Sequence, residues 1–549
     1  MKDITMRKNS FVKGAFITTL GIVIAKILGI LYVVPFHAII GEQGGALYGY
    51  AYTIYTVFMS IASAGIPLAI SKLVSEYQTL GYYDAKKRVF SIGKKLSLLL
   101  GFICFLVILF FAPFLAKAVL GDVTGGNTVE DVTMVIRIIG TAILIVPLLS
   151  IYRGYFEGHR FMSPPSISQV VEQIVRVLII IFGSFVALKV FHFSLTTAVS
   201  IALAGATLGA FCSYLYLFIK KVKNKGKFNE RARTVNEPLI TDKMILVKLF
   251  YYAIPFILID IFKSIYNYVD MVTVVKGLVH VANYSVGDAE TVYSMLSTWS
   301  QKFNMILLAV STGVIVSLIP SLTESLVKKD HAQMEKKVCQ ALNILFYLLI
   351  PLTLGISLMS KSIWMLFYGD SLYGPSVLSY YIFVGLFVGL FTALISTLQA
   401  LKELKAVFVS LISGLVVKIL LNMSLMSAFY QMNFPPYYGV ITASIAGYLV
   451  SFILCLIFLN IKCGIQFEGV LKNFVDSLVG AILMSMILLC VSIWIPMVSN
   501  IRIMNIWVLL FYGMLGGFVY FFYAHCVGLT IRVFGKRALS VLNGLIHRK

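Results

Sequence analysis

Fourteen apolar stretches, each long enough to cross a bilayer, follow one another along this 549-residue chain. A spanning helix needs about 20 mostly apolar residues. Inside the hydrocarbon core its backbone must satisfy its own hydrogen bonds. The stretches lie roughly at 11–40, 46–75, 92–119, 132–156, 166–190, 196–220, 244–276, 290–323, 338–367, 377–400, 405–430, 438–461, 473–497 and 503–530. Only 12% of the residues are charged, against ~25% in soluble domains. The chain is therefore expected to be an all-α integral membrane protein that crosses the bilayer many times. The first stretch is too long for the apolar region of a secretory signal, and no small-residue cleavage site follows it, so no cleavable leader is expected.

The net charge of +22 invites a nucleic-acid reading, but its placement argues against one. With fourteen spans, the N-terminus, every second loop and the C-terminus share one side of the membrane. That set holds 33 Lys and Arg residues, and the opposite loops hold 5 (Lys117, Lys189, Lys276, Lys361 and Arg502). Positive charge collects on the cytoplasmic side of membrane proteins. Both termini are accordingly expected in the cytoplasm, with anionic headgroups as a secondary attraction.

Seven basic residues fall within spans. Lys72 and Arg137 lie near span ends and reach water by snorkelling. Lys26, Arg176, Lys263, Lys302 and Lys418 lie deep in spans 1, 5, 7, 8 and 11. A buried charge costs at least ~2.5–3.5 kcal/mol on insertion scales, and such groups face a bundle interior or a wet cavity. Four of them have polar company at helical spacing. Span 7 places Asp260, Lys263, Asn267 and Asp270 on one face. Span 5 repeats Ser168, Glu172 and Arg176, and span 11 repeats Ser410, Gly414, Lys418 and Asn422. Span 8 carries Ser297, Gln301, Asn304 and Ser311 beside Lys302. Span 2 carries Tyr48, Tyr52, Tyr55 and Met59 as a stripe.

Each pattern has a structural reading beside a functional one. Glu172 with Arg176, and Asp260 with Lys263, have the spacing of intrahelical ion pairs. The tyrosine stripe reads either as helix packing or as a ligand surface. Lys26 has no acid on its own helix, so it either pairs across helices, with Asp260, Asp270 or Glu172, or faces water. A cavity with excess cations would draw an anionic substrate, more strongly between low-dielectric walls.

The residues carry no catalytic constellation and no phosphate-binding P-loop. The seven cysteines and seven histidines show no metal-ligand spacing, so no cofactor or metal is expected. The chain is not expected to be an enzyme.

An internal echo orders the spans. "GIPLAISKLVSEY" (65–77) ends span 2 and "GVIVSLIPSLTES" (313–325) ends span 8, each with a glycine eleven residues before a glutamate. "DAKKRV" and "DHAQMEKKV" follow them as basic loops. "VVEQIVRVLII" of span 5 pairs with "LISGLVVKILL" of span 11, matching Arg176 to Lys418. Six spans return the chain to the same side, so the repeat is parallel, as in transporters that rock two lobes. The expected organisation is an N-terminal lobe at 1–220, a basic cytoplasmic linker at 221–243, a C-terminal lobe at 244–461, and spans 13–14 with a basic tail at 462–549.

The 6+6+2 arrangement, "AKILGILYVVPFHAIIG" in span 1, "GIPLAISKLVSEY", and "NYVDMVTV" (267–274) resemble the multidrug/oligosaccharidyl-lipid/polysaccharide exporter superfamily. Within it the chain is most similar to the MurJ branch of Gram-positive bacteria, near the stage V sporulation protein B group. The resemblance covers essentially the whole chain. It implies a bacterial cell-membrane flippase for lipid II, the undecaprenyl-diphosphate peptidoglycan precursor, working by alternating access. It also implies the cell-wall synthesis machinery as a partner, besides membrane lipids. The rival readings are a flippase for another undecaprenyl-linked glycan, a multidrug cation antiporter of the same superfamily, and a non-transporting scaffold. Five buried cations argue against a cationic drug.

The resemblance further implies basic residues on helices 1, 2 and 8 around a cavity between lobes. Lys26 matches the first basic position, while Tyr32 and Val33 stand where an Arg-Asp pair is usual. The helix-2 arginine is absent, with the tyrosine stripe in its region, and the helix-8 arginine falls at or beside Gln301 and Lys302. Together with the residues' own pattern, this gives Lys26, Lys263, Lys302, Arg176, Gln301, Tyr52 and Tyr55 as the expected substrate residues. Asp260, Asn267, Asp270, Glu172, Lys418 and Asn422 form a polar set around them. Some members hold sodium with an Asn and an Asp four apart on helix 11. Lys418 and Asn422 occupy that spacing here, so a lysine ammonium would replace the ion and no sodium coupling is expected there. The last two helices of the family form a groove for the lipid tail.

Overall fold

The computed structural model describes residues 21, 24–26, 28–121, 125–228 and 239–535. Every regular element among them is helical. Among the described residues thirteen helices are long and apolar enough to cross a membrane, from Val33–Leu80 to Met504–Cys526. They match spans 2–14 one for one. Span 1 is described in part: residues 24–26 and 28–31 are helical, and its end runs into the helix Val33–Ser63, which breaks at Gly41. There the backbone turns to φ 65° and ψ −165°, a conformation open to glycine and costly for other residues. The chain is thus an all-α, multi-pass membrane protein. Lys2, Arg7, Lys8 and Lys13, linker residues 229–238 and the basic tail from Lys536 lie outside the described residues.

Packing divides the chain into two compact units. The first runs to Val279 and includes Tyr284–Ser297; the second holds His280–Asn283 and the chain from Thr298. The repeat in the sequence divides the chain at the linker, whereas packing assigns the long span 7 helix, Asp242–Ala282, almost wholly to the first unit.

In the first unit, Ile66–Leu80 of span 2 packs on Ala142–Gly158 of span 4. The approach is close: a Cβ added at Gly154 would sit 2.4 Å from the Pro67 carbonyl oxygen. Small residues let membrane helices meet backbone to backbone, where dispersion rather than water exclusion holds them. Around this contact Ile70, Leu73, Tyr77, Val89, Ile151 and Phe156 form a core that also takes in Ile245 and Leu249 of span 7. Span 5 packs along span 6. Outward, Phe102, Phe110 and Phe114 of span 3 are exposed, a surface suited to lipid rather than water.

In the second unit, spans 11 and 12 pack along their length, span 8 lies against spans 9 and 10, and spans 13 and 14 pair and dock on span 9. The two spans without a counterpart in the repeat therefore have a definite neighbour.

Candidate functional site

The tyrosine stripe of span 2 is a continuous run of ring contacts. Tyr48 and Tyr52 lie parallel with centroids 5.7 Å apart, and Tyr55 follows at 5.6 Å. Phe36 closes the near end, edge-on to Tyr48 at 5.3 Å. The Arg176 guanidinium of span 5 lies 5.8 Å from the Tyr52 ring centroid. A guanidinium over a tyrosine face gains ~0.5–2 kcal/mol, more as water is removed. Tyr48 and Tyr55 are buried while Tyr52 stays half-exposed beside the cation.

Glu172 does not pair with Arg176. Its Oε2 accepts a charged hydrogen bond from Arg153 Nη2 of span 4 at 2.7 Å. Arg153 also donates from Nε to Ser168 Oγ at 2.9 Å and from Nη2 to Ser213 Oγ at 3.2 Å. Of the two readings of span 5, the intrahelical ion pair is therefore not the one formed. The reason is geometric: Arg153 presents a fork of donors across the helix interface, leaving Arg176 to the tyrosines. Arg153 reads in the sequence as one of the loop cations that report topology, and nothing in its local pattern marks it as the partner of Glu172.

Lys26 of span 1 is half-buried. Its helix runs parallel to span 5. A Cβ at Gly21 would meet Ser166 at 2.9 Å, and one at Gly29 would meet Gln173 Nε2 at 3.4 Å. Lys26 therefore lies at the level of the segment between Ser166 and Gln173, close in height to Glu172. No ion pair within 4.0 Å is formed by Lys26 among the described residues.

On span 7, Lys263, Asn267 and Asp270 are half-buried and Asp260 is exposed. No ion pair within 4.0 Å joins Asp260 to Lys263 among the described residues, so this second intrahelical bridge is absent as well. The same helix is tied to span 2 by Ser264 and Ser60, whose hydroxyls are 3.1 Å apart. Asp270 interacts electrostatically with Tyr293. Of the two cations expected at span ends, Lys72 lies over the Tyr252 ring at 3.8 Å, and Arg137 donates to the Leu109 carbonyl at 3.2 Å.

A further carboxylate, overlooked in the sequence, stands at the start of span 8. Glu290 is fully buried and accepts from the Asn127 N–H and Nδ2, both at 3.0 Å, and from the Tyr50 hydroxyl at 3.5 Å. Tyr50 in turn stacks on Tyr293 at 4.6 Å. The partners of Glu290, a span 2 tyrosine and a loop asparagine, are distant in sequence, so no spacing pattern announces it.

In the second unit, Gln301 and Lys302 are half-buried at the start of the helix Gln301–Val327. Lys418 is fully buried. Its ammonium donates to Ser444 Oγ at 2.6 Å and to the Val440 carbonyl at 3.3 Å, both on span 12. Asn422 is buried one turn along. The lysine thus joins spans 11 and 12 with its own charge. Among the described residues no three His, Cys, Asp or Glu side chains gather closely enough to hold a metal ion.

The family described as "Polysaccharide biosynthesis protein" matches residues 11–318. A Bacillus subtilis (strain 168) protein named lipid II flippase MurJ is 32% identical over 542 residues, covering 96% of this chain and 97% of that one. The chain belongs to the MurJ family. Stage V sporulation protein B of the same organism is 24% identical over 62% of this chain and 63% of its own length. In three dimensions the chain resembles a MurJ flippase in its inward closed conformation. The TM-score is 0.69 and the identity 16%, over 93% of this chain and 98% of that one. An inward-facing multidrug transporter of the MATE family follows at TM-score 0.62 and 14% identity, over 83% and 99%. These likenesses show a shared fold. The chain is a transporter, not an enzyme.

Proposed function

We propose that this protein moves lipid II, or a closely related undecaprenyl-diphosphate glycolipid, from the inner to the outer leaflet of a bacterial cell membrane by alternating access. The observation that carries the reading is the identity of 32%, held across 97% of a protein named for that activity. The cations of the first unit support it. Lys26 and Lys263 are half-buried within spans, and Arg176 lies over a tyrosine face. Such groups suit a diphosphate, whose charge they would offset. Glu172, the nearest acid on span 5, is already engaged by Arg153.

The second unit offers a place for the tail. A cavity of about 370 Å³ lies among spans 9, 13 and 14, lined by Leu348, Leu352, Ile356, Leu488, Gly516 and Phe521 among others. Its lining is almost wholly apolar, as a polyprenyl chain requires. The charge asymmetry of the loops supports both termini in the cytoplasm. A headgroup of about −2 moving outward would be aided by the membrane potential, at ~2.3 kcal/mol per charge per 100 mV. The two six-span lobes remain part of this proposal, resting on the sequence echo. We also propose the cell-wall synthesis machinery as a partner.

Binding by the purified protein in detergent tests the reading, with lipid II, undecaprenyl phosphate and a cationic dye compared on wild type and on Lys26→Ala/Lys263→Ala. Tight lipid II binding that falls in the double variant supports it. Preference for the dye would move the protein to drug export. Equal affinity for undecaprenyl phosphate would widen the substrate class.

A further inference from the structure

Away from the residues above, the ends of spans 3, 4 and 6 enclose a small cavity of about 150 Å³. Its lining is Lys87, Phe90, Tyr155, Lys221, Lys225 and Phe228. It holds three ammonium groups and three aromatic rings, and no carboxylate lines it. These ends belong to the side that the loop lysines assign to the cytoplasm.

The cations are held in place by different means. Lys221 sits over the Phe90 ring at 3.2 Å from its centroid, with the Tyr155 and Tyr152 rings at 5.0 and 5.5 Å. A lysine seated on three rings is oriented and partly stripped of water. Lys87 has Asp84 on its own helix at 4.0 Å, with both side chains more than half exposed, a contact of the kind worth little. Lys225 is exposed on the short helix Lys225–Phe228. Phe228 anchors that helix. It is buried and stacks on Tyr155 at 5.4 Å, with the Phe156 and Phe161 rings edge-on at 5.3 and 5.5 Å. The third lysine is thus carried by a docked element, not a loose one.

We infer that this cavity is an anion site for one phosphate group, separate from the transport pathway, at the cytoplasmic edge of the first unit. A cavity of ~150 Å³ takes one benzene-sized group, which admits a phosphate and excludes a disaccharide-peptide headgroup. Basic pockets between helices at this depth take the headgroups of anionic lipids. The same chemistry would accept a free phosphate from the cytoplasm. The inference leans on the proposed sidedness of the chain but not on lipid II as substrate.

Native mass spectrometry of the full-length protein tests it, with phosphatidylglycerol and phosphatidylcholine as probes and inorganic phosphate as competitor. Three proteins are compared: wild type, Lys87→Gln/Lys221→Gln/Lys225→Gln, and a charge-matched control, Lys336→Gln/Lys402→Gln/Lys405→Gln. Lys225→Gln alone guards against misfolding, since that side chain is exposed. The expected result is one tightly retained phosphatidylglycerol on wild type and control, weakened at least tenfold in the triple variant and measurably in Lys225→Gln. Lipid II binding should be unchanged in all. Competition by millimolar phosphate would assign the site to a soluble phosphate; its absence would assign it to the lipid headgroup. Equal retention by the triple variant and the control would overturn the inference. So would loss of lipid II binding in the triple variant, which would place these lysines in the transport pathway.

Discussion

Glu172 is bound by Arg153 of the neighbouring helix, 2.7 Å away, and not by Arg176 one turn along its own. That choice frees Arg176 to lie over Tyr52 and leaves a net positive face where spans 2 and 5 meet. The acid neutralises a structural arginine instead of the one proposed to meet substrate.

Arg153→Ala should therefore destabilise the first unit, by about 2 kcal/mol. That is below the ~3–5 kcal/mol of fully buried pairs, because both side chains keep some exposure. The double variant Arg153→Ala/Glu172→Ala should recover part of the loss, since no lone carboxylate remains. Thermal unfolding in detergent reads both. A double variant no better than the single one would show that the carboxylate contributes nothing.

Arg176 and Tyr52 should be coupled. Tyr52→Phe keeps the ring and should leave lipid II affinity nearly intact. Tyr52→Ala should lower it by about two- to thirtyfold, matching a cation–π contact of ~0.5–2 kcal/mol. Arg176→Lys keeps the charge but loses the planar stack, and should fall between wild type and Arg176→Gln. Titration of lipid II against the four variants gives the order. Equal loss in Tyr52→Phe and Tyr52→Ala would assign the effect to the hydroxyl.

Transport should not depend on sodium through span 11. Lys418 already places an ammonium between spans 11 and 12, on Ser444 and the Val440 carbonyl. Flipping rates in sodium and potassium media should agree within error. Lys418→Ala should lower the melting temperature, because it empties a fully buried site and removes two hydrogen bonds. A sodium-dependent rate in the wild type would contradict this reading.

Gly154→Ala should be costly where most glycine-to-alanine changes in helices are mild. Its new methyl would sit 2.4 Å from the Pro67 carbonyl oxygen, so spans 2 and 4 must separate. Overpacking of this kind costs ~1–3 kcal/mol. Thermal unfolding checks it; an unchanged midpoint would mean that the helices part freely.

The sequence makes the spans legible because each apolar run must match a bilayer. Spans 2–14 accordingly agree with the described helices, and Lys26, Arg176 and Lys263 stand out as charges where charges are expensive. Partnership across helices was not legible. Helical spacing offered Arg176 to Glu172 and Lys263 to Asp260, since periodicity sees one helix at a time, and folding gave Glu172 to Arg153. Glu290 escaped notice for the same reason: its donors, Tyr50 and Asn127, reach it from 240 and 163 residues away. Lys418 likewise finds its partners, Ser444 and the Val440 carbonyl, on a neighbouring span that its own periodicity does not reveal.

The central claim is transport of lipid II, and flipping in proteoliposomes tests it most directly. Labelled lipid II is placed in one leaflet and its arrival in the other is followed for wild type, Lys26→Ala and Arg176→Gln. The account predicts flipping by wild type well above protein-free vesicles, reduced at least tenfold in each variant with melting temperature preserved. Flipping at the protein-free rate by a folded wild type would contradict it.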